Sequence, residues 1–473
     1  MPARCSGSGK LSESRLHPVI ASEPDWVAHT IWWQVFPMGF TGADMSGQNR
    51  QPARRITHIA NWLDYLLEIG CSGLLLGPIF TSASHGYDTI DYLTIDPRLG
   101  DDADFDQLVE AARSRGVRIL LDGVFNHVGR EFPQFEQALR EGSQSPFADW
   151  FHLTWPALGA DAEADGGVIG RNASGQPTHE SFEGHEDLVT LNHQSPAVVD
   201  FVVEVMNHWL DRGVDGWRLD AAYAMPPSFW AQVLPRVRDK HPDAYIVGEV
   251  IHGDYSQIVA EAGLDSVTQY ELWKAIWSSI NDANFFELAW ALERHDEYQE
   301  SFVPLTFLGN HDVTRIASQI TDDRHHAHAL AILLAVGGTP SIYYGDEQAF
   351  RGIKEERFGG DDAIRPEFPA DASELAQFGW PSYRLHQQLI GLRRRYPWLH
   401  RARIEVLELT NQQFLFRTAT NGKQLVVALN LGEGQWRVDT GARHAVQSGS
   451  SGADVSGSWL TLDPHGWAIL ELD

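Results

Sequence analysis

From about residue 31 to residue 395, short apolar runs rich in β-branched and aromatic residues alternate with amphipathic stretches, the pattern of a parallel sheet built from βα units. Strands are predicted over 31–36, 73–77, 117–124, 216–221, 245–250, 304–308 and 341–344. Helical periodicity falls on 60–67, 105–113, 197–210, 227–238, 270–280, 286–294, 326–336 and 383–395. Asp101, Asp102 and Asp104 precede the second of these and suit the positive end of its dipole. A total of about eight strands favours a closed (β/α)8 TIM barrel over an open sheet.

Two stretches break the alternation. Between the third strand and the helix at 197 lie roughly seventy residues, rich in Gly, Asp, Ser and Pro around 159–177, too many for an ordinary connection and therefore read as a small inserted domain. Beyond Tyr396 the texture becomes apolar–polar alternation at 413–418, 424–429 and 459–462, which predicts a separate antiparallel β-sandwich. The expected division is an N-terminal tail at 1–29, a catalytic barrel at 30–127 and 191–396, an inserted domain at 128–190 and the C-terminal β-sandwich at 397–473.

Charge narrows the partners. Sixty-four acidic against 36 basic residues leave a net −28, which repels phosphate backbones and anionic lipid surfaces, so neither nucleic acid nor a membrane is expected as a partner. Cys5 and Cys71 are too few for a disulfide framework or a thiolate metal site. The first thirty residues lack the apolar run of a signal peptide, and a cytoplasmic location is the expectation. Gly9-Lys10 does not make a phosphate loop, since position 4 is Arg and no strand precedes it.

Barrel enzymes carry their chemistry at the C-terminal ends of strands. The third strand runs into Asp122-Gly123-Val124-Phe125-Asn126-His127, the fourth ends Trp217-Arg218-Leu219-Asp220, the fifth ends Val247-Gly248-Glu249, and the seventh runs into Gly309-Asn310-His311-Asp312. Each acid alone reads as a cap or turn residue. Together, Asp220, Glu249 and Asp312 are three carboxylates aimed into one mouth. Arg218, two residues before Asp220, shares its inward face and is placed to keep it ionised. His325, His326 and His328 fall in a helical stretch without a carboxylate at ligand spacing and read as surface residues.

These segments closely resemble the short sequence regions of the α-amylase superfamily, glycoside hydrolase family thirteen, in the family order. Further matches are His85-Gly86-Tyr87-Asp88, Ile95-Asp96-Pro97, Leu191-Asn192 and the run from Gly338-Thr339-Pro340 to Gly345-Asp346-Glu347. The resemblance implies a barrel with an insertion after strand 3, a C-terminal sandwich, and retaining cleavage of α-glucosidic bonds. It makes Asp220 the nucleophile, Glu249 the general acid and then base, and Asp312 the stabiliser of an oxocarbenium-like sugar. A carboxyl gap of ~5–5.5 Å permits the covalent intermediate that retention requires. His127 and His311 are similar to histidines that bind sugar hydroxyls, Tyr87 to the aromatic under the sugar ring, and Asp88 and Arg365 to further substrate-site positions. Asn126 matches a position that ligates calcium in many amylases, but no oxygen-rich partner segment stands out, so Ca2+ is an unassigned cofactor and none is required by the chemistry.

Within the superfamily the chain looks nearest to the neopullulanase and cyclomaltodextrinase group, although Ala221-Ala222-Tyr223 and Leu188-Val189-Thr190-Leu191-Asn192 depart from its usual runs, and Ile251 stands where Trp is common. Only about thirty residues precede the first strand, so the group's N-terminal β-domain is expected to be missing, as in hydrolases of the cyclic maltosyl-maltose type. The expected substrate is a short or cyclic α-glucan oligosaccharide with α-1,4 and also α-1,6 linkages. Homodimerisation is carried over from the group. Alternatives are an α-glucosidase or transglycosylase on the same scaffold and, in another class, a non-catalytic sugar-binding module.

Overall fold

A ring of parallel strands organises the computed structural model, which describes residues 23–155, 177–357 and 359–472. The staves are β1 (Trp32–Val35), β2 (Gly73–Leu76), β3 (Arg118–Gly123), β4 (Gly216–Leu219), β5 (Tyr245–Gly248), β6 (Ser266–Val267), β7 (Leu305–Phe307) and β8 (Thr339–Tyr343). They form one eight-stranded sheet in the order β6-β5-β4-β3-β2-β1-β8-β7, and a single parallel bridge from Thr268 to Leu305 joins its two ends. Stave β6 was not legible in the sequence, because two residues carry no period and its apolar content is one valine.

The staves are buried on both faces, as the near-continuous apolar runs require. Trp32, Leu75, Leu120, Tyr245, Val247, Leu305 and Phe307 fill the barrel interior, with Trp32 stacked on Tyr245 at 6.3 Å. Gly73, the register partner of Trp32, makes room for that indole: a Cβ there would fall 2.3 Å from a ring carbon. Outside run α1 (Leu63–Ile69), α2 (Asp102–Ser114), α3 (Pro196–Asp211), α4 (Pro227–Lys240), α5 (Tyr255–Ala262), α6 (Tyr270–Asn281), α7 (Phe285–Tyr298), α8 (His326–Ala335) and α9 (Trp380–Arg395). The acids before α2 cap it: Asp101 accepts from the Asp104 backbone, and Asp104 returns the bond as a capping box.

Of the expected insertion, the described residues pair His127–Gly129 with Leu188–Thr190 and Leu153–Thr154 with Thr178–His179. The expected tail up to residue 22, with Cys5, and residues 156–176 of the insertion lie outside the described residues. Beyond α9 come β9 (Arg403–Leu409), β10 (Gln413–Thr420), β11 (Lys423–Asn430), β12 (Trp436–Asp439), β13 (His444–Gly449), β14 (Asp454–Ser456), β15 (Trp459–Leu462) and β16 (Trp467–Leu472). They make a five-stranded sheet, β9-β10-β11-β16-β13, facing a three-stranded one, β12-β15-β14. Leu415, Val426, Val438, Leu460, Leu462 and Leu470 form the core between them.

One expectation is corrected here. His325 and His328 are buried rather than on the surface, and His326 is half-buried. Helix α8 is covered by the C-terminal sheets, so a helix that reads as peripheral within the barrel becomes internal once the second domain packs on it. A carboxylate does lie within reach, since Asp322 is near His325.

Candidate active site

The C-terminal ends of β3, β4 and β5 place Asp122, Asp220 and Glu249 around one guanidinium. Arg218 is the register partner of Asp122 and donates to both of its carboxylate oxygens, at 2.7 and 2.6 Å. The same group reaches Asp220 Oδ1 at 3.1 Å and Glu249 Oε1 at 2.7 Å. Asp220 and Glu249 are therefore neighbours. Arg218 spreads one positive charge over three acids instead of serving Asp220 alone, and the consequence is electrostatic. Burial first, and then the adjacent Glu249 carboxylate, push the Asp220 carboxyl well above the ordinary range against the pull of Arg218. The Asp220 carboxyl is thereby biased toward its protonated form.

Directly after Asp220 the chain turns through Ala221 at φ 47°, a left-handed conformation that costs a non-glycine residue energy. The turn aims the Ala221 N–H at Glu249 Oε2, 3.0 Å away. Tyr270, at the start of α6, donates to Glu249 Oε1 at 3.2 Å and accepts from Asn310 Nδ2 at 2.8 Å. Asn310 Oδ1 in turn accepts the Asp312 backbone N–H at 2.8 Å. A continuous run of hydrogen bonds thus links Glu249 to the loop that bears Asp312.

Asp312 is the most open of the three acids, with a side chain 31% exposed against 9% for Asp220 and Glu249. Burial opposes its ionisation, but His311 Nε2 at 2.9 Å and Arg365 Nη2 at 2.8 Å, with Arg218 nearby, hold its carboxyl well below the usual range. His311 also hydrogen-bonds the Tyr87 hydroxyl and lies 3.3 Å from Gln34. Tyr87 donates to Asp122 at 3.0 Å and stacks on His311 at 5.3 Å.

A cavity of about 430 Å³ holds Asp220, Glu249 and Asp312 in its wall with Tyr87 and His127. His127 accommodates Phe182 of the insertion in a stack at 4.7 Å, and burial lowers its imidazole to about 4, so it is neutral at physiological pH. The structure thus gathers Tyr87, His127, Arg218, Asp220, Glu249 and Asp312 at one mouth, with His311 and Arg365 behind Asp312. Asp88 does not join them. Both of its oxygens are used by Ser84, at 3.0 and 2.5 Å, and it lines a neighbouring groove with Arg50 and Glu131. Asn126 lies with its amide nitrogen 3.2 Å from His127 Nδ1. Among the described residues no trio of acidic or imidazole ligands forms around it.

Sequence reasoning assigned no role to Asp122, Tyr270, Asn310, Phe182, Glu183 and Tyr223. Tyr270 was recoverable in principle, because the residues just past a stave line the mouth, but its stave was not seen. Tyr223 donates to Glu183 at 2.9 Å, tying the insertion to the loop after Asp220; no pattern in the chain announces that pair.

The chain is similar to known proteins in sequence and in fold. A cyclomaltodextrinase from a Bacillus species is 32% identical over 362 residues, 71% of this chain, which spans 62% of that relative's length. The native debranching enzyme of Nostoc punctiforme superposes with a TM-score of 0.79 at 28% identity, covering 95% of this chain and 99% of its own. The cyclic α-maltosyl-(1→6)-maltose hydrolase of Arthrobacter globiformis superposes at 0.78 with 25% identity, covering 95% and 100%. No helix among the described residues is long and apolar enough to cross a membrane. The family model for the alpha amylase catalytic domain matches residues 34–377, most of the barrel and the whole acidic mouth, and the chain therefore belongs to the α-amylase family of glycoside hydrolases.

Proposed function

We propose that the protein is a retaining α-glucoside hydrolase acting on short or cyclic maltooligosaccharides. The observation that carries this reading is the contact of one guanidinium, Arg218, with both Asp220 and Glu249, while Asp312 faces the same cavity. In the first step ionised Asp220 attacks the anomeric carbon, the glycosidic C–O bond breaks, and the proton held by the pair passes through Glu249 to the leaving oxygen. An ester now joins sugar and Asp220. Glu249, ionised, takes a proton from water, whose oxygen displaces Asp220 and regenerates both groups. Asp312, kept anionic by His311 and Arg365, balances the positive charge that develops on the sugar ring. Tyr87 is the stacking face, and neutral His127 offers hydrogen bonds to hydroxyls.

Substrate size follows from the walls. Phe182, Glu183 and Leu188 of the insertion close one side of the cavity and Tyr223, Ile251 and Lys354 another, which suits a few sugar units more than a long helical glucan. The names of the relatives, a cyclomaltodextrinase, a debranching enzyme and a cyclic maltosyl-(1→6)-maltose hydrolase, support both α-1,4 and α-1,6 cleavage. A cytoplasmic enzyme would meet such sugars after their import. Ile251, 39% exposed at the rim, offers no aromatic platform to an acceptor sugar and favours water over transfer.

The test is a time course with maltotriose, soluble starch, pullulan, a cyclodextrin and cyclic maltosyl-maltose. Faster release from the small and cyclic sugars, with the α-anomer formed first, is expected. Starch cleaved much faster overturns the substrate class, and first release of the β-anomer overturns retention. Every step uses protein groups, so a chelator is expected to leave the initial rate unchanged.

A further inference from the structure

Outside the acidic mouth, the junction of barrel and C-terminal sheets gathers a second set of reactive side chains. Asp322 precedes α8, His325 lies at its first turn, and His465 sits in the turn between β15 and β16. One ligand atom from each lies within 4.8 Å of the others, the one such trio among the described residues. His325 Nε2 and His465 Nδ1 face each other at 2.9 Å. A zinc ion bound at ~2.0–2.1 Å in tetrahedral geometry holds its ligand atoms about 3.3 Å apart, so the two imidazoles already stand near the required spacing.

The surroundings point the same way. The other ring nitrogen of His465, Nε2, is 3.1 Å from the exposed Glu433 carboxylate, an ion-pair distance, and with the proton on Nε2 the Nδ1 lone pair faces the cluster. A carboxylate behind a ligating imidazole is the usual support for a metal-bound histidine. Arg324 now pairs with Asp322 at 2.6 Å and approaches Glu433 at 3.5 Å, but its side chain is 54% exposed. Arg324 engages both oxygens of Asp322, with Nε at 3.0 Å from each and Nη2 at 2.6 Å from Oδ2, so a divalent cation must displace it, and the exposed guanidinium can turn into solvent.

We propose that Asp322, His325 and His465 bind a divalent transition-metal ion of borderline softness, with zinc the best match to two imidazoles and one carboxylate. Water fills the fourth position. On binding, the His325 proton moves from Nε2 to Nδ1, Arg324 swings into solvent, and the ion joins the start of α8 to the turn before β16, tying the two domains.

The test uses the untagged full-length protein, stripped with a chelator and titrated with Zn2+ by calorimetry and with Co2+ by visible absorption. One ion per chain is expected, with a four-coordinate Co2+ spectrum and a raised thermal midpoint. His465→Gln and Asp322→Asn are expected to weaken binding at least tenfold while circular dichroism is unchanged; Asn at 322 keeps an oxygen for the backbone bond that Asp322 accepts from Arg324. Glu433→Gln should weaken it by about 10–100-fold. Absence of stoichiometric uptake by the unaltered protein, or full affinity in either ligand variant, overturns the site.

Discussion

Among single residues, Asp220 carries the heaviest demand, since its carboxyl must be a nucleophile in a setting that favours its proton. Asp220→Asn is expected to lower kcat by about 10⁶-fold, the scale seen when a hydrolase nucleophile is removed, with the melting temperature unchanged or raised because a buried charge is gone. Sugar release and thermal unfolding measured on the same sample decide this; activity within tenfold of the original removes Asp220 from the mechanism. The rate should show a bell-shaped pH dependence, as the working state of the Asp220–Glu249 pair has one proton. Its alkaline limb is expected above the range of free carboxylates, because burial and Glu249 push Asp220 upward. A limb at ordinary carboxylate values would contradict that coupling. At this scale the sequence was informative: strand ends and spacing brought out the three acids and Arg218, and the family resemblance added His311. What it hid was sharing. Arg218 reads as the partner of Asp220, and only the register of β3 against β4 reveals that Asp122 holds it more closely.

Between elements, a hydrogen bond from Tyr223 to Glu183 joins two walls of the cavity. Tyr223→Phe removes it without emptying the space, and a net loss of about 1 kcal/mol corresponds to roughly fivefold weaker substrate binding. The expected kinetic signature is a raised KM for a cyclodextrin at unchanged kcat; a fall in kcat alone would assign Tyr223 to the chemistry instead. Most elements were legible because their periods are long enough to read: α3 runs sixteen residues and β3 six. Stave β6 was not, having two residues between α5 and α6. Its pairing is decided by neighbours, with Val247 opposite Ser266 and Gly248 opposite Val267. The domain covering α8 was likewise seen as a domain but not as a lid over histidines, since packing between distant segments leaves no local period.

The whole molecule is expected to be sensitive to acid. Burial lowers His193 and His295 to about 4 and His386 to about 3, so all three are neutral when folded and titrate near 6.5 when unfolded. The sign follows: their contribution is complete above about pH 6.5 and is lost as pH falls through the window down to about 4 or 3, because the unfolded chain takes up protons that the folded one refuses. A shift of this size in one fully buried imidazole is worth on the order of 3 kcal/mol. Urea midpoints should drop steeply below pH 6.5, and His386→Gln should flatten the slope; a midpoint constant from pH 7 to 4.5 would contradict the burial of these rings.

Asp220, Glu249 and Asp312 hang from the fourth, fifth and seventh staves, and the ring that carries them joins at one bridge, Thr268 to Leu305. Until that seam shuts, no two thirds of the barrel own a complete set of acids facing a shared centre. Sugar release is consequently a report on winding: a refolding chain can regain its helices and its compactness while remaining catalytically silent, and turnover should be the last signal to return.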